Sequence, residues 1–124
     1  MFRTIPRPQC RTLLFVLLLS IAPLAQANEI KRLMRDMKSA LQGAMASSTM
    51  AQFSGYVTRL EQDVSEASVQ PYRDDPATYH EGMQTLQRQF APVDQAIQAD
   101  DLAAAKRALQ KVNGTRKHYH DLLS

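Results

Sequence analysis

The sequence predicts an all-α protein, an up-down-up-down antiparallel four-helix bundle. In four segments the apolar residues recur three or four positions apart, which is the spacing of one helix face. No stretch alternates apolar and polar residues with the period of two that is typical of strands. The four segments are joined by short connections, and short connections favour antiparallel neighbours.

Residues 1–27 have the three parts of a secretory signal peptide. A basic opening without acidic residues precedes the apolar run 13–19, and Ala25-Gln26-Ala27 supplies the small side chains that signal peptidase requires. The alternative is a retained membrane anchor, for which the apolar segment is short. We expect cleavage before Asn28 and export to the periplasm of a Gram-negative bacterium.

The mature chain, residues 28–124, is predicted to be one domain of 97 residues without cysteine. Cys10 lies in the signal peptide, so we expect neither a disulfide nor a thiolate metal site. The precursor has 15 basic and 12 acidic side chains, and removal of three arginines leaves 12 of each. This balance gives no reason to expect nucleic acid as a partner. We expect no stable membrane insertion after cleavage, and a monomer.

Two amphipathic helices are predicted before a proline-containing loop at residues 70–76. Asn28 is the expected N-cap of the first, and residues 47–49, Ser-Ser-Thr, end it and cap the second. Gly55 should weaken the second helix by about 1 kcal/mol relative to alanine. The apolar stripes are Ile30, Met34, Met37, Leu41 and Met45 in the first helix, and Met50, Phe53, Val57, Leu60, Val64 and Ala67 in the second.

Two further helices are predicted after the loop. The third begins near Pro76, and Pro92 is expected to kink or split it because proline lacks an amide hydrogen. Two aspartates at 100–101 open the fourth, in which Asn113-Gly114 is locally unfavourable. The stripes are Tyr79, Met83, Leu86, Phe90, Val93 and Ile97 in the third helix, and Leu102, Ala105, Leu109, Val112, Arg116, His120 and Leu123 in the fourth.

Met34 and His120 are predicted to lie at the same end of the bundle. Met34 is near the start of the first mature helix and His120 near the end of the last, so antiparallel packing brings them to one level. His120 shares a helix face with Arg116 and Val112, and we expect that face to be apolar and inward-facing. A histidine there is either a hydrogen-bonded core residue or a metal ligand.

A thioether facing an imidazole is a ligand pair for haem iron. The chain has no Cys-x-x-Cys-His attachment motif, so a bound haem would be non-covalent and of the b type.

The C-terminal run Arg116-x-x-Tyr119-His120 is the most specific motif in the chain. Together with Met34 and the signal peptide before it, this run resembles the soluble periplasmic cytochrome b562 family, itself a standard example of an up-down bundle. The resemblance covers the mature chain and is closest over residues 82–120. It implies a carrier of single electrons with one haem b (iron protoporphyrin IX) per chain. By the same resemblance Met34 and His120 are the axial ligands of its iron.

The resemblance also implies further pocket residues. Arg116 corresponds to a family arginine one turn from the histidine, beside the porphyrin edge. Tyr79 and Met83 stand where the family has pocket phenylalanines, and Leu60 stands where it has a methionine. The chain departs from the family after His120, where the basic residue expected near a haem propionate is missing.

Two other functions fit the residues. Methionine and histidine also suit Cu(I), although the methionines are spread over three helices instead of clustered on a loop. A cofactor-free bundle with a chaperone or regulatory role is the other alternative.

An enzyme is not expected, because no carboxylate pair, Ser-His-Asp set or phosphate-binding loop stands out. His80 and His118 are expected to face solvent. The expected redox partners are other proteins, whose identity does not follow from the sequence.

Overall fold

A computed structural model of the chain consists of four long helices. It describes residues 9–124, with side chains from residue 28 onward, so the predicted signal peptide at 1–27 lies outside the fully described part. None of the described residues lies in a strand. The elements are α1 (Gln9–Ala46), α2 (Met50–Ser68), α3 (Pro76–Gln98) and α4 (Leu102–Leu123).

The helices pack in the order in which they follow one another in the chain. α1 packs against α2, α2 against α3, and α3 against α4, while α1 and α4 close the ring with the fewest contacts of these four pairs. Because the connections at 47–49, 69–75 and 99–101 are short, consecutive helices run in opposite directions. The predicted antiparallel four-helix bundle is confirmed, and the α1–α4 contact is its least closely packed side.

Local capping chemistry sets the start of three helices. Thr49, Asp75 and Asp101 each accept a hydrogen bond from the backbone amide three residues further on, at 3.2, 3.1 and 3.0 Å. These bonds satisfy amides that have no partner inside the helix. The starts predicted near Thr49, Pro76 and Asp101 are therefore confirmed.

Asn28 does not cap α1, which differs from the prediction. The helix is continuous through this position because the segment preceding Asn28 also has helical backbone. An N-cap side chain acts only where the helix begins, so in the full chain Asn28 is an exposed residue inside α1.

Pro92 does not split α3, which runs unbroken from Pro76 to Gln98. Pro92 is exposed, whereas Phe90 and Val93 on either side of it are buried against the other helices. This packing holds the segment helical despite the missing amide hydrogen. The fourth helix likewise continues through Asn113-Gly114.

The buried face of α1 is rotated from the predicted stripe. Leu33, Ala40 and Ala44 are fully buried, while Met34 and Met45 are only half-buried. Met34 therefore lies at the edge of the core, packed against it. The other three stripes supply most of the core, namely Phe53, Val57, Leu60, Val64, Ala67, Tyr79, Met83, Leu86, Phe90, Val93, Ala105, Leu109 and Val112.

Candidate functional site

A largely apolar cavity of about 300 Å³ lies at the end of the bundle where α4 ends. This volume is at the lower end of the range of about 300 to 1,000 Å³ that is usual for small-molecule pockets. Its walls come from α1, α3, α4 and the connection between α2 and α3. The lining residues are Ile30, Lys31, Met34, Met37, Tyr72, Tyr79, Gly82, Met83, Leu86, Arg116, Tyr119, His120, Leu123 and Ser124. We call this the inner cavity.

The inner cavity brings together five of the six residues expected to hold a cofactor. Leu60 is the exception, since it is 1% exposed in the core and lies two helical turns before the C-terminal end of α2. No residue of α2 lines the cavity. The five residues at the cavity are Met34 from α1, Tyr79 and Met83 from α3, and Arg116 and His120 from α4.

His120 lies at the mouth of the inner cavity and is not buried. Its side chain is 67% exposed, and its Nδ1 atom is 3.9 Å from Oδ1 of Asp121. The expectation that the α4 stripe stays inward-facing as far as His120 is therefore wrong. The stripe is buried only as far as Val112. The reason is that α1 and α4 make few contacts, which leaves the last turns of α4 uncovered on that side.

Arg116 is half-buried one turn before His120. Its Nε donates a hydrogen bond to Oδ1 of Asn113 at 3.2 Å, and burial lowers the pKa of its guanidinium. Among the described residues no carboxylate lies within 4 Å of it. A partly desolvated cation with only an amide partner favours an anionic group beside it. Asn113, unfavourable as a helix former, thus helps to position this side chain.

Two stacked tyrosines close the side of the cavity toward the α2–α3 connection. The rings of Tyr72 and Tyr79 are nearly parallel, with centroids 4.9 Å apart. The hydroxyl of Tyr79 donates to the Ala67 carbonyl at 2.6 Å, and that of Tyr72 donates to the Leu123 carbonyl at 3.1 Å. Burial raises the pKa of Tyr79 to about 12, so its phenol stays protonated as a donor. Tyr72 was not predicted, because a loop aromatic has no periodicity that assigns it to a site.

Gly82 and Tyr119 form a close contact between α3 and α4. A Cβ atom on Gly82 would lie 2.8 Å from Cγ of Tyr119, so only glycine lets the ring rest against α3 here. Sequence reasoning did not assign Gly82 to the site. The available indication was its place three residues after Tyr79, on the buried face of α3.

A second, shallower cavity of about 350 Å³ adjoins the first. The two share Met34, Arg116 and His120, but no residue of α3 lines the second. It therefore lies on the solvent side of the α1–α4 contact, and we call it the outer cavity. Its other lining residues are Arg35, Lys38, Lys117 and Asp121.

The two remaining histidines lie elsewhere. His80 and His118 are exposed and line neither cavity, as predicted, and the ring of His118 packs edge-on against Tyr119. Within residues 28–124, no three His, Cys, Asp or Glu side chains are grouped so that they could hold a metal ion.

No helix in the described part of the chain has the length and apolar character needed to cross a membrane.

Together, the fold and the two cavities define an up-down helical bundle with a ligand pocket at one end, rimmed by a thioether and an imidazole. The family model for cytochrome b562 matches residues 29–123. The chain belongs to the cytochrome b562 family, which confirms the resemblance noted in the sequence. Comparison with curated proteins finds no match. Membership indicates a haem-binding electron carrier, in a family that does not typically consist of enzymes.

Proposed function

We propose that the mature protein is a periplasmic carrier of single electrons that binds one haem b non-covalently, with Met34 and His120 as axial ligands. The observation that carries the proposal is that these two side chains, from α1 and α4, line the same two cavities. The match to the cytochrome b562 family supports it independently.

The donor atoms at the cavity fit iron in a porphyrin. The macrocycle itself supplies four nitrogen ligands, so the protein needs to provide only a thioether and an imidazole. When bound, the haem supplies a reversible one-electron change at its iron. Met34 and His120 sit on separate helices of one bundle, α1 and α4, and these two side chains would hold the haem iron. The thioether of Met34 would raise the reduction potential of that iron, as Met/His ligation generally does.

The apolar walls of the inner cavity exclude water from the site. Met37, Met83 and Leu86 are buried and present an apolar surface to the inner cavity. Such surroundings also favour a large apolar ligand through the area that binding removes from water. The exposed His120 leaves one edge of the site close to solvent, where electrons can pass to a partner.

Copper is a second candidate ligand, because the cavity gathers more methionines than the sequence suggested. Met34, Met37 and Met83 all line the inner cavity together with His120. Thioether sulfur and imidazole nitrogen form a donor set that Cu(I) accepts.

One purification tests these functions together. Protein isolated from the periplasm should have the mass of a 97-residue chain beginning at Asn28 and should show the visible spectrum of low-spin six-coordinate haem. Retention of Cys10 would contradict export with cleavage. Stoichiometric copper without a porphyrin band would support the copper function, and the absence of both ligands would support a cofactor-free bundle. If the folded chain also failed to take up added haemin, the haem proposal would be wrong.

A further inference from the structure

We propose that three basic residues of the outer cavity, Arg35, Lys38 and Lys117, bind the carboxylates of the haem propionates. We call these three residues the basic rim. The inference rests on the proposed haem function and deepens it, since it assigns the anionic edge of the ligand to one side of the site.

The first argument is the contrast between the two cavities. The inner cavity faces α3 and is lined mainly by apolar side chains, whereas the outer cavity is lined only by α1 and α4. Both meet at Met34 and His120, so a flat ligand held between these two residues extends into both cavities. A molecule with an apolar body and carboxylates at one edge matches this division.

The second argument is the charge at the outer cavity. The basic rim and Arg116 supply four cations, and Asp121 is the one carboxylate in the lining. Among the described residues, none of these four cations is paired with a carboxylate within 4 Å. The mature chain has equal numbers of acidic and basic side chains, so this local excess is a feature of the site and not of the composition.

Two basic residues close to the rim in the sequence or the fold, Arg32 and Arg59, do have carboxylate partners. Arg32, which precedes the rim on α1, pairs with Glu29 at 2.6 Å. Arg59 donates from Nε to Asp36 at 2.9 Å across the α1–α2 contact. Arg35 and Lys38, exposed on the neighbouring face of α1, have no such partners among the described residues. Two ligand carboxylates would supply the missing opposite charge.

The test compares two probes, haemin and haemin dimethyl ester, whose propionates are uncharged. The variant Arg35→Gln/Lys38→Gln/Lys117→Gln should lose on the order of tenfold in haemin affinity at low salt, since each exposed ionic contact changes an equilibrium by about 1.4- to fivefold. Its affinity for the dimethyl ester should equal that of the wild type. Added salt should weaken haemin binding in the wild type more than in the variant.

A matched control removes three exposed cations that line neither cavity, in the variant Arg88→Gln/Arg107→Gln/Lys111→Gln. This control should bind both probes as the wild type does. The inference is overturned if the rim variant keeps full haemin affinity, the result expected of a surface that docks an acidic protein instead. It is also overturned if affinity for both probes falls equally, which would indicate a structural role. Failure of the wild type to bind either probe would refute the haem function itself.

Discussion

At the residue scale, the two proposed iron ligands are held differently. Met34 is half-buried and flanked along α1 by the buried Leu33 and Met37, so core packing fixes its position. His120 is exposed on the last turns of α4, close to Leu123, whose carbonyl accepts the hydrogen bond from Tyr72. The position of the Met34 thioether is thus fixed by core packing, whereas the position of the His120 imidazole depends on the last turns of α4.

This difference gives a prediction about the two ligands. His120→Ala should remove most haemin affinity, because imidazole is the stronger ligand. Met34→Ala should retain haem on His120, with a high-spin spectrum and a lower reduction potential, since loss of the thioether reverses its effect. His118→Ala, which lines neither cavity, is the control and should leave the spectrum unchanged. Optical titration with haemin measures all three, and a low-spin spectrum that depends on His118 instead of His120 contradicts the assignment.

Asp63, outside the ligand site, is a carboxylic acid buried in the bundle. It is 7% exposed on α2, and its Oδ2 atom has no hydrogen-bond partner among the described residues. Burial and the neighbouring Asp36 raise the pKa of Asp63 to about 7, an effect that Glu66 reinforces and Arg59 opposes; Arg32 also faces the group. The folded protein therefore holds this proton more tightly than the unfolded chain does.

The raised pKa predicts that stability falls with increasing pH. The contribution of protonated Asp63 is complete below the ordinary pKa of an aspartate and is lost as the pH rises toward and through about 7. Asp63→Asn, whose amide resembles the neutral carboxyl, should raise the unfolding free energy at pH 8 by on the order of 1 to 2 kcal/mol and change it little at pH 4. Urea unfolding at the two pH values measures this.

Asp74→Asn is the control for Asp63, since it removes one exposed carboxylate from the connection between α2 and α3. It should not reproduce the gain at pH 8. Burial and the neighbouring Asp94 raise the pKa of Glu61 to about 7. Glu61 therefore also lowers the free energy of unfolding as the pH rises, and it does so equally in every variant. An unchanged pH dependence in Asp63→Asn would show that folding does not raise the pKa of Asp63.

At the element scale, the sequence predicts what depends on local chemistry. Helix starts at Thr49 and Asp101 follow from side chains that bond to amides of their own helix. The exact face of α1 and the continuity of α3 through Pro92 depend on which surfaces pack together, and periodicity alone does not determine that. Five of the six site residues reached through topology and family resemblance meet at the inner cavity, and Leu60 does not. The contact between Gly82 and Tyr119 was missed, because it too depends on which surfaces pack together.

The helical glycines give a prediction at this scale. A Cβ atom at Gly55 or Gly114 would meet nothing within 4 Å, so alanine there should stabilise the haem-free protein by about 1 kcal/mol each through helix propensity. Gly82→Ala is the contrasting variant and should destabilise, because its Cβ would meet the ring of Tyr119. Chemical denaturation monitored by circular dichroism measures the three. Equal effects at all three positions would contradict the packing described for Gly82.

At the scale of the whole molecule, the contact between α1 and α4 is the weak side of the bundle. These helices pack against each other less than the other neighbours do, and residues of both helices line both cavities. A ligand that bridges Met34 and His120 would add contacts where the protein has fewest.

Haem binding is therefore predicted to raise the thermal stability of the bundle. A ligand that binds only the folded form stabilises it by about 2.7 kcal/mol at a hundredfold excess over its Kd. Melting curves with and without saturating haemin measure the shift, and His120→Ala serves as the control that should show little change. Equal midpoints for the wild type would mean that haemin does not bind the native fold.

The stacked tyrosines have an optical consequence. The chain has no tryptophan and four tyrosines, and Tyr72, Tyr79 and Tyr119 line the inner cavity. The fourth, Tyr56, lies against Gly43 on another part of the bundle. The ultraviolet fluorescence of the mature protein therefore arises mainly from the walls of the ligand site. In a Tyr56→Phe variant, all of that emission would report on the cavity without any attached label.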